Sequence, residues 1–336
     1  MIQQAVQKLV GREDLSRGEV AQVMTEIADG QATPAQVGAF LAVLRLKGET
    51  WAELAGAAEV MRQRADHVEA DPECVDTCGT GGDGAGTFNI STGAAFVAAG
   101  AGAVVAKHGN RSVSSRCGSA DVLAALGVDV EAPKPVVERC LREVGIGFLF
   151  APKLHPAFRA VAAVRKELGV RTMFNLLGPL VNPARARRQV LGVYDRRYVP
   201  IVGRVLASLG AFRAFVVHGD GLDEIALCGE TSVCEVRGAE VFEYEVRPED
   251  FGLRRCAREE LAGGDAERNA RILRDVLGGQ RGAQRDAVVL NAAAALVAAA
   301  RAGDLRSGVR AAEQAIDSSA ARRKLEELAR VSREAE

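Results

Sequence analysis

Five glycines stand among hydroxyl, amide and carboxylate side chains in Gly79-Thr80-Gly81-Gly82-Asp83-Gly84-Ala85-Gly86-Thr87-Phe88-Asn89-Ile90-Ser91-Thr92. The segment follows the apolar run CVDTC and leads into a helical one, so its backbone N–H groups are placed where an anion can use them. Gly79, Gly81 and Gly84 satisfy the spacing GxGxxG. A dinucleotide site is excluded because no acidic residue follows about 20 positions on to hold a ribose. A Walker A loop is excluded because no Gly-Lys-Ser/Thr closes the run. Phosphate binding is the reading that remains beside a plain surface turn.

A second cradle follows in Lys107-His108-Gly109-Asn110-Arg111, with Ser112, Ser114, Ser115, Arg116, Gly118 and Ser119 behind it. Lysine gives a point charge, hydroxyls and backbone give directed donors, and Ser119 is expected to cap the next helix. Third comes His218-Gly219-Asp220-Gly221-Leu222-Asp223-Glu224. In a turn, two adjacent acids can reach one region, and Mg²⁺ commonly takes one or two carboxylates plus substrate phosphates. A polar Asp-Gly turn explains the same residues equally well. Fourth is the helical run His155 to Arg165, where 155, 158, 162 and 165 are spaced to share a face. Arg165, with Arg171 and the turn Asn175 to Pro179 beyond, could receive a carboxylate as a bidentate fork. The plainer alternatives are a surface Arg165 and a His155 that only caps the helix.

These segments need a frame. Residues 1–70 read as helices, with start signals at Ser16/Glu19, Thr33-Pro34/Gln36 and Thr50/Glu53 and glycine stops at Gly30 and Gly48. From about residue 74, short apolar runs (CVDTC, AVVAK, IGFLF, QVLGVY, AFVVH) alternate with helical ones near 92–101, 119–126, 135–144, 156–168 and 198–209. That alternation implies a mostly parallel sheet covered on both faces. Residues 224–246 read as antiparallel strands, and the chain after about 265 as Ala-rich helix. The expected fold is therefore α/β, with a small helical N-terminal domain over a larger α/β domain and C-terminal helices. A cleft between the two is a usual place for a ligand.

Composition narrows the classes. The chain has 336 residues, enough for about two domains. With 43 basic and 44 acidic residues its net charge is -1, which argues against nucleic-acid binding and a polybasic membrane surface. The longest stretch without a polar side chain, Gly93 to Ala106, is 14 residues, short of the ~20 needed to span a bilayer. The start MIQQAVQKLVGRED has no apolar signal region, and seven cysteines without a CxxC pair suggest reduced thiols. A cytoplasmic location is expected.

Taken together, the motifs GTGGD, NIST, KHGNR, SS with GSADVL, HPA with VRKELG, RT, FN, LGPL and NP, and HG with GLDE resemble the anthranilate phosphoribosyltransferase family of tryptophan biosynthesis. They stand in order at Gly79–Asp83, Asn89–Thr92, Lys107–Arg111, Ser114–Leu123, His155–Pro183 and His218–Glu224. The likeness spans nearly the whole chain. It implies a helical dimerisation domain, 1–72 plus about 170–185, and an α/β donor-binding domain, 73–169 and 186–336. It implies a homodimer and Mg²⁺. The donor 5-phosphoribosyl 1-pyrophosphate would lie on Gly79, Gly82, Asp83, Thr87, Asn89, Ile90, Ser91, Thr92, Lys107, His108, Gly109, Asn110, Arg111, Ser112, Val113, Ser114, Ser115 and Ser119. Anthranilate would touch Gly79, Asn110 and Arg165, and metal would sit on Ser91, Asp223 and Glu224. No covalent nucleophile or firm general base is implied. Lys107, Asn110 and Asp83 would stabilise the transition state. A pyrimidine nucleoside phosphorylase, a transferase with another aromatic acceptor, and a non-catalytic phosphate-ligand sensor are the alternatives. The complete KHGNR–GSADVL and VRKELG–LGPL–NP runs weigh against the phosphorylase, and the intact Asp223-Glu224 pair against a dead enzyme.

Overall fold

The computed structural model describes residues 1–112 and 116–334. Four helices open the chain: α1 (Ile2–Val10), α2 (Arg17–Ala28), α3 (Pro34–Lys47) and α4 (Trp51–Gln63). Ser16, Thr33 and Thr50 each accept a hydrogen bond from the backbone N–H three residues on, and the side chains of Glu19, Gln36 and Glu53 accept from the N–H groups of Ser16, Thr33 and Thr50. Each such cap is worth about 1 kcal/mol. Helix α1 has no side-chain cap, which is why no start signal marks it in the sequence. The Met1 ammonium and the Ile2 N–H instead meet Glu26, at 2.9 and 3.0 Å.

The α/β body follows with β1 (Val75–Gly79), α5 (Ile90–Gly100), β2 (Val105–Gly109), α6 (Ser119–Ala125), α7 (Lys134–Arg139), β3 (Ile146–Phe150) and α8 (Ala151–Leu154). Next come α9 (Arg159–Leu168), α10 (Phe174–Leu180), β4 (Arg188–Gly192), α11 (Tyr198–Ser208), β5 (Arg213–Gly219), β6 (Thr231–Arg237) and β7 (Glu240–Val246). Helices α12 (Ala266–Leu277), α13 (Ala283–Ala298), α14 (Leu305–Asp317) and α15 (Ala320–Val331) close it. The sheet order is β3-β2-β1-β4-β5-β6-β7. The first five strands are parallel and the last two antiparallel. The connection order reverses between β1 and β4, and ligands of open α/β sheets bind beyond the strand ends at such a reversal.

Strand periodicity divides the core. Phe215 and Val217 of β5 join the apolar cluster shared with α5 and the C-terminal helices, whereas Ala214 and Val216 join the cluster under the N-terminal helices. A parallel strand covered on both faces reads as a continuous apolar run for this reason. The Gly/Ala-rich stretch from Gly93 is the buried α5. A Cβ on Gly93 would stand 2.9 Å from Val288, and one on Gly100 would stand 2.6 Å from the Ala321 nitrogen. Its smallness serves close helix packing. No described helix is long and apolar enough to cross a membrane, and no disulfide forms among the described residues.

Two expectations change. The stretch from His155 is not one helix: Pro156–Phe158 is a 3₁₀ turn, α9 starts at Arg159, and Ala162 faces solvent. Contact with the helical bundle also begins before residue 170, because Val161 and Val164 of α9 sit in the N-terminal cluster and α9 packs on α3.

Candidate active site

Gly79 and Gly192 are register partners at the ends of β1 and β4, where the strand order reverses. The Asp223 loop lies across both. A Cβ on Gly79 would stand 2.2 Å from Asp223 Oδ2, and one on Gly192 would stand 1.6 Å from the Asp223 carbonyl oxygen. Only glycine leaves that space. Gly81, Gly82, Gly84 and Gly86 all have positive φ, so the loop turns in the left-handed region that successive N–H groups need to form an anion nest.

The sequence-expected acids converge here. Gly81 N–H donates to Asp223 Oδ2 at 2.7 Å, and Ser91 N–H, in the first turn of α5, donates to Glu224 Oε1 at 3.1 Å. Asp223 N–H points to Asp83 Oδ2 at 3.4 Å. Burial, then the charge of Asp83, pushes the Asp223 carboxyl up to about 7. Burial and Asp223 push Glu224 well above the usual carboxylate range. Lys107 answers them from β2. Its buried ammonium donates to the Thr77 carbonyl at 2.6 Å and the Ser91 hydroxyl at 3.4 Å. Burial lowers its pKa, while Asp76 and Glu224 oppose that fall. Among the described residues no group of three or more His, Cys, Asp or Glu side chains forms a protein-only metal cage. Asp223 and Glu224 each accept a backbone N–H with one oxygen, and when ionised the pair exceeds the single charge of Lys107. That donor set fits a hard cation completed by phosphate and water, as Mg²⁺ sites usually are.

Asn89 and Thr87 are fixed from the C-terminal side. Asn269 of α12 donates to Asn89 Oδ1 at 2.9 Å, and Thr87 pairs with Ala262 as an isolated bridge. Ile90 is core, and the Thr92 hydroxyl is buried without a partner among the described residues. Gly109 lets β2 end against α6, since a Cβ there would stand 2.2 Å from Ser119 Oγ. Asn110 is exposed beside it, with its carbonyl accepting from Ser119 Oγ at 3.3 Å.

Several expectations are corrected. Ser119 is not the cap of α6: Gly118 holds that position, and Asp121 accepts from the Gly118 and Ser112 N–H groups at 2.9 and 3.0 Å. The Arg111 guanidinium turns to Asp121 and Glu131, at 3.3 and 3.2 Å, leaving its backbone to the loop. His155 is buried and stands at the cap position of the 3₁₀ turn Pro156–Phe158, not of α9, with no side-chain cap bond among the described residues. Val113, Ser114 and Ser115 lie outside the described residues.

Sequence reasoning missed the supports. Asn291 of α13 accepts from Ile225 N–H at 2.9 Å and donates to its carbonyl at 3.0 Å, pinning the peptide directly after Glu224. A lone Asn inside LNAAAALVAAA was the available signal. Asp76, a buried carboxylate on β1 that accepts from His108 N–H at 3.1 Å, was hidden inside an apolar strand.

Arg165 is half-buried, with its guanidinium 5.4 Å from the Phe174 ring centre, and burial lowers its pKa. From Phe174 a row of ring contacts runs through Phe158 (5.6 Å) and His155 (5.4 Å) to His108 (5.0 Å). It joins the Arg165 region to the strand end that carries Lys107 and Asn110. Burial holds His108 down at about 3 and His155 at about 4, so both rings are neutral in the folded protein. An unfolded chain protonates them near 6.5, so stability should fall as pH drops from about 6.5 towards 4, by ~1.4 kcal/mol per pH unit for each ring. Urea unfolding at pH 7 and pH 5 checks this. His155→Phe should lose about one proton's worth of the slope, and an unchanged slope contradicts the neutral assignment.

The helical bundle domain of the glycosyl transferase family matches residues 3–65, and that family's a/b domain matches residues 71–322. Helical bundle and α/β body are those of this class of transferase. An anthranilate phosphoribosyltransferase of Anaeromyxobacter sp. (strain Fw109-5) is 69% identical over 334 residues, covering 99% of each chain. The crystal structure of the Thermus thermophilus anthranilate phosphoribosyltransferase superposes with a TM-score of 0.93 at 45% identity, covering 98% of this chain and 99% of that one. The Saccharomyces cerevisiae enzyme in complex with PRPP and Mg gives a TM-score of 0.89 at 29% identity, covering 98% and 97%. The chain belongs to the anthranilate phosphoribosyltransferases.

Proposed function

We propose that the enzyme transfers the phosphoribosyl group of 5-phosphoribosyl 1-pyrophosphate to the amine of anthranilate, giving N-(5-phosphoribosyl)anthranilate and pyrophosphate. The observation that carries this is the contact of the Asp223-Glu224 turn with the Gly-rich loop and the start of α5, at Gly81 and Ser91. It sets an anion nest and two half-buried carboxylates side by side. The amine nitrogen forms a bond to ribose C1 as the C1–O bond to pyrophosphate breaks, and the electron pair leaves with pyrophosphate. Charge builds on the leaving group, so fixed donors there act on the transition state. Asp83, Asp223, Glu224 and Ser91 are assigned to the metal end of the donor. Mg²⁺ bound there would neutralise the pyrophosphate charge. Lys107 balances the acids from beneath, and Asn110 stands at the exposed strand end where donor and acceptor meet. Arg165 is assigned to the anthranilate carboxylate. Phosphorus NMR tests the reading: pyrophosphate should appear from the donor only when anthranilate and Mg²⁺ are both present, and release without anthranilate counts against it.

The helical segments 1–72 and about 170–185 are assigned to a homodimer, in the cytoplasm. Phe40, Leu41 and Leu44 of α3 are buried within the chain and cannot meet a partner. Charging them would bury an unpaired charge and unfold the bundle. Packed helices α1 and α3 instead present Val10 (67% exposed) and Leu46 (79%). Leu46→Glu should convert a dimer to monomers in sedimentation at micromolar concentration while unfolding stays cooperative. A dimer that survives it contradicts this interface.

A further inference from the structure

We propose that Arg171 is a binding residue for the pyrophosphate end of the donor, reaching the Gly-rich loop from the segment between α9 and α10. This inference rests on the functional reading above. Arg171 lies beyond the last turn of α9, and its backbone is fixed by the start of α10. There Thr172 N–H donates to Asn175 Oδ1 at 3.0 Å, and Asn175 N–H returns to the Thr172 carbonyl at 2.9 Å. The side chain crosses to the α/β body. Its guanidinium lies 4.6 Å from the Tyr194 ring centre, within the range of a cation–π contact. Its Nε lies 3.6 Å from where a Cβ of Gly82 would stand.

Tyr194 is itself tied to the loop, since its N–H donates to Thr80 Oγ1 at 3.0 Å, and Thr80 N–H donates to the Gly192 carbonyl at 2.9 Å. Ring and loop therefore hold the guanidinium directly over the Gly81-Gly82 turn, the part of the loop that bonds Asp223. The metal-binding acids mark that end as the place for pyrophosphate, because Mg²⁺ joins carboxylates to substrate phosphates.

The other cations nearby are committed. Arg111 is paired with Asp121 and Glu131, and Lys107 is spent on Thr77 and Ser91. Arg171 makes no ion pair among the described residues. Its planar donors, oriented by the ring, suit phosphate oxygens in bidentate fashion. Its side chain also bridges the helical side of the molecule and the loop, so the same contact would bring the cleft walls together on the donor.

Calorimetric titration of wild type, Arg171→Gln and Arg171→Lys with pyrophosphate in Mg²⁺, and separately with ribose 5-phosphate, tests this. Arg171→Gln should weaken pyrophosphate binding at least tenfold and leave ribose 5-phosphate within about twofold. Arg171→Lys should recover part of the loss. The KM for anthranilate should move less than about twofold, and because the side chain is exposed the unfolding midpoint should move only slightly, through the lost Tyr194 contact. Unchanged pyrophosphate binding in Arg171→Gln overturns the proposal, and a raised anthranilate KM with it moves Arg171 to the acceptor. A wild-type protein that fails to bind Mg²⁺-pyrophosphate overturns the functional reading instead.

Discussion

Replacing Asp223 by Asn and Glu224 by Gln together is expected to lower kcat/KM by a hundredfold or more and to shift the Mg²⁺ dependence to higher concentration. The substitutions keep size and remove two negative charges. Asp223 lies across Gly79 and Gly192, and Glu224 meets the first turn of α5, so both side chains are held beside the Gly-rich loop by the fold itself. Their charge is costly there. Burial and mutual proximity favour the protonated forms, and Lys107 offers one balancing charge. A fold that retains such a pair gains when a divalent cation neutralises it. The uncharged variant should therefore be no less stable without metal, yet should gain less thermal stability from added Mg²⁺. Removal of one transition-state donor commonly costs ~10²–10³ in rate, and losing the metal end of the site should cost at least as much. Steady-state rates across a Mg²⁺ series check it. An unchanged metal dependence would return these acids to the role of a polar turn.

Arg165→Ala should raise the KM for anthranilate ten- to hundredfold while that for the phosphoribosyl donor moves little. Anthranilate is flat, and its amine is the nucleophile, which leaves the carboxylate as the handle that orients it. Arg165 makes no ion pair among the described residues, and burial already disfavours its charge, so a carboxylate would be welcome. The rings of Phe174, Phe158, His155 and His108 run from it towards Asn110. Loss of one charge-assisted contact is worth ~1.5–3 kcal/mol, which is the stated range. Arg165→Lys should recover only part, because an ammonium cannot reproduce the planar fork. If Arg165 served only its contact with Phe174, stability would fall by ~0.5–1 kcal/mol and neither KM would move. Equal effects on both substrates would place it in the donor site or in folding.

Much of this was legible because local chemistry and fold agree. The three capping boxes state where α2, α3 and α4 begin, and apolar runs between helical ones state a parallel sheet. The Gly-rich loop and the adjacent acids stand out by residue type, and the fold brings them together. What sequence could not reveal depends on distant contacts. Gly192 is glycine because the distant Asp223 loop crosses it, and Asn291 bonds Ile225 from a helix that reads as plain core. Helix α6 starts after Gly118 and not Ser119 because Asp121, inside the helix, reaches back to the Gly118 N–H. His155 stands apart from α9 because Pro156 sets a 3₁₀ turn and tertiary packing draws the ring inward against His108.

The most direct measurement is the fluorescence of anthranilate after mixing the wild-type enzyme with 5-phosphoribosyl 1-pyrophosphate and Mg²⁺. The signal should decay as the amine becomes ribosylated, with one pyrophosphate released per anthranilate lost. No decay should follow when the donor is omitted or Mg²⁺ is chelated. Stable fluorescence in the complete mixture, with pyrophosphate released only when a different aromatic acceptor is supplied, would contradict the assignment of anthranilate.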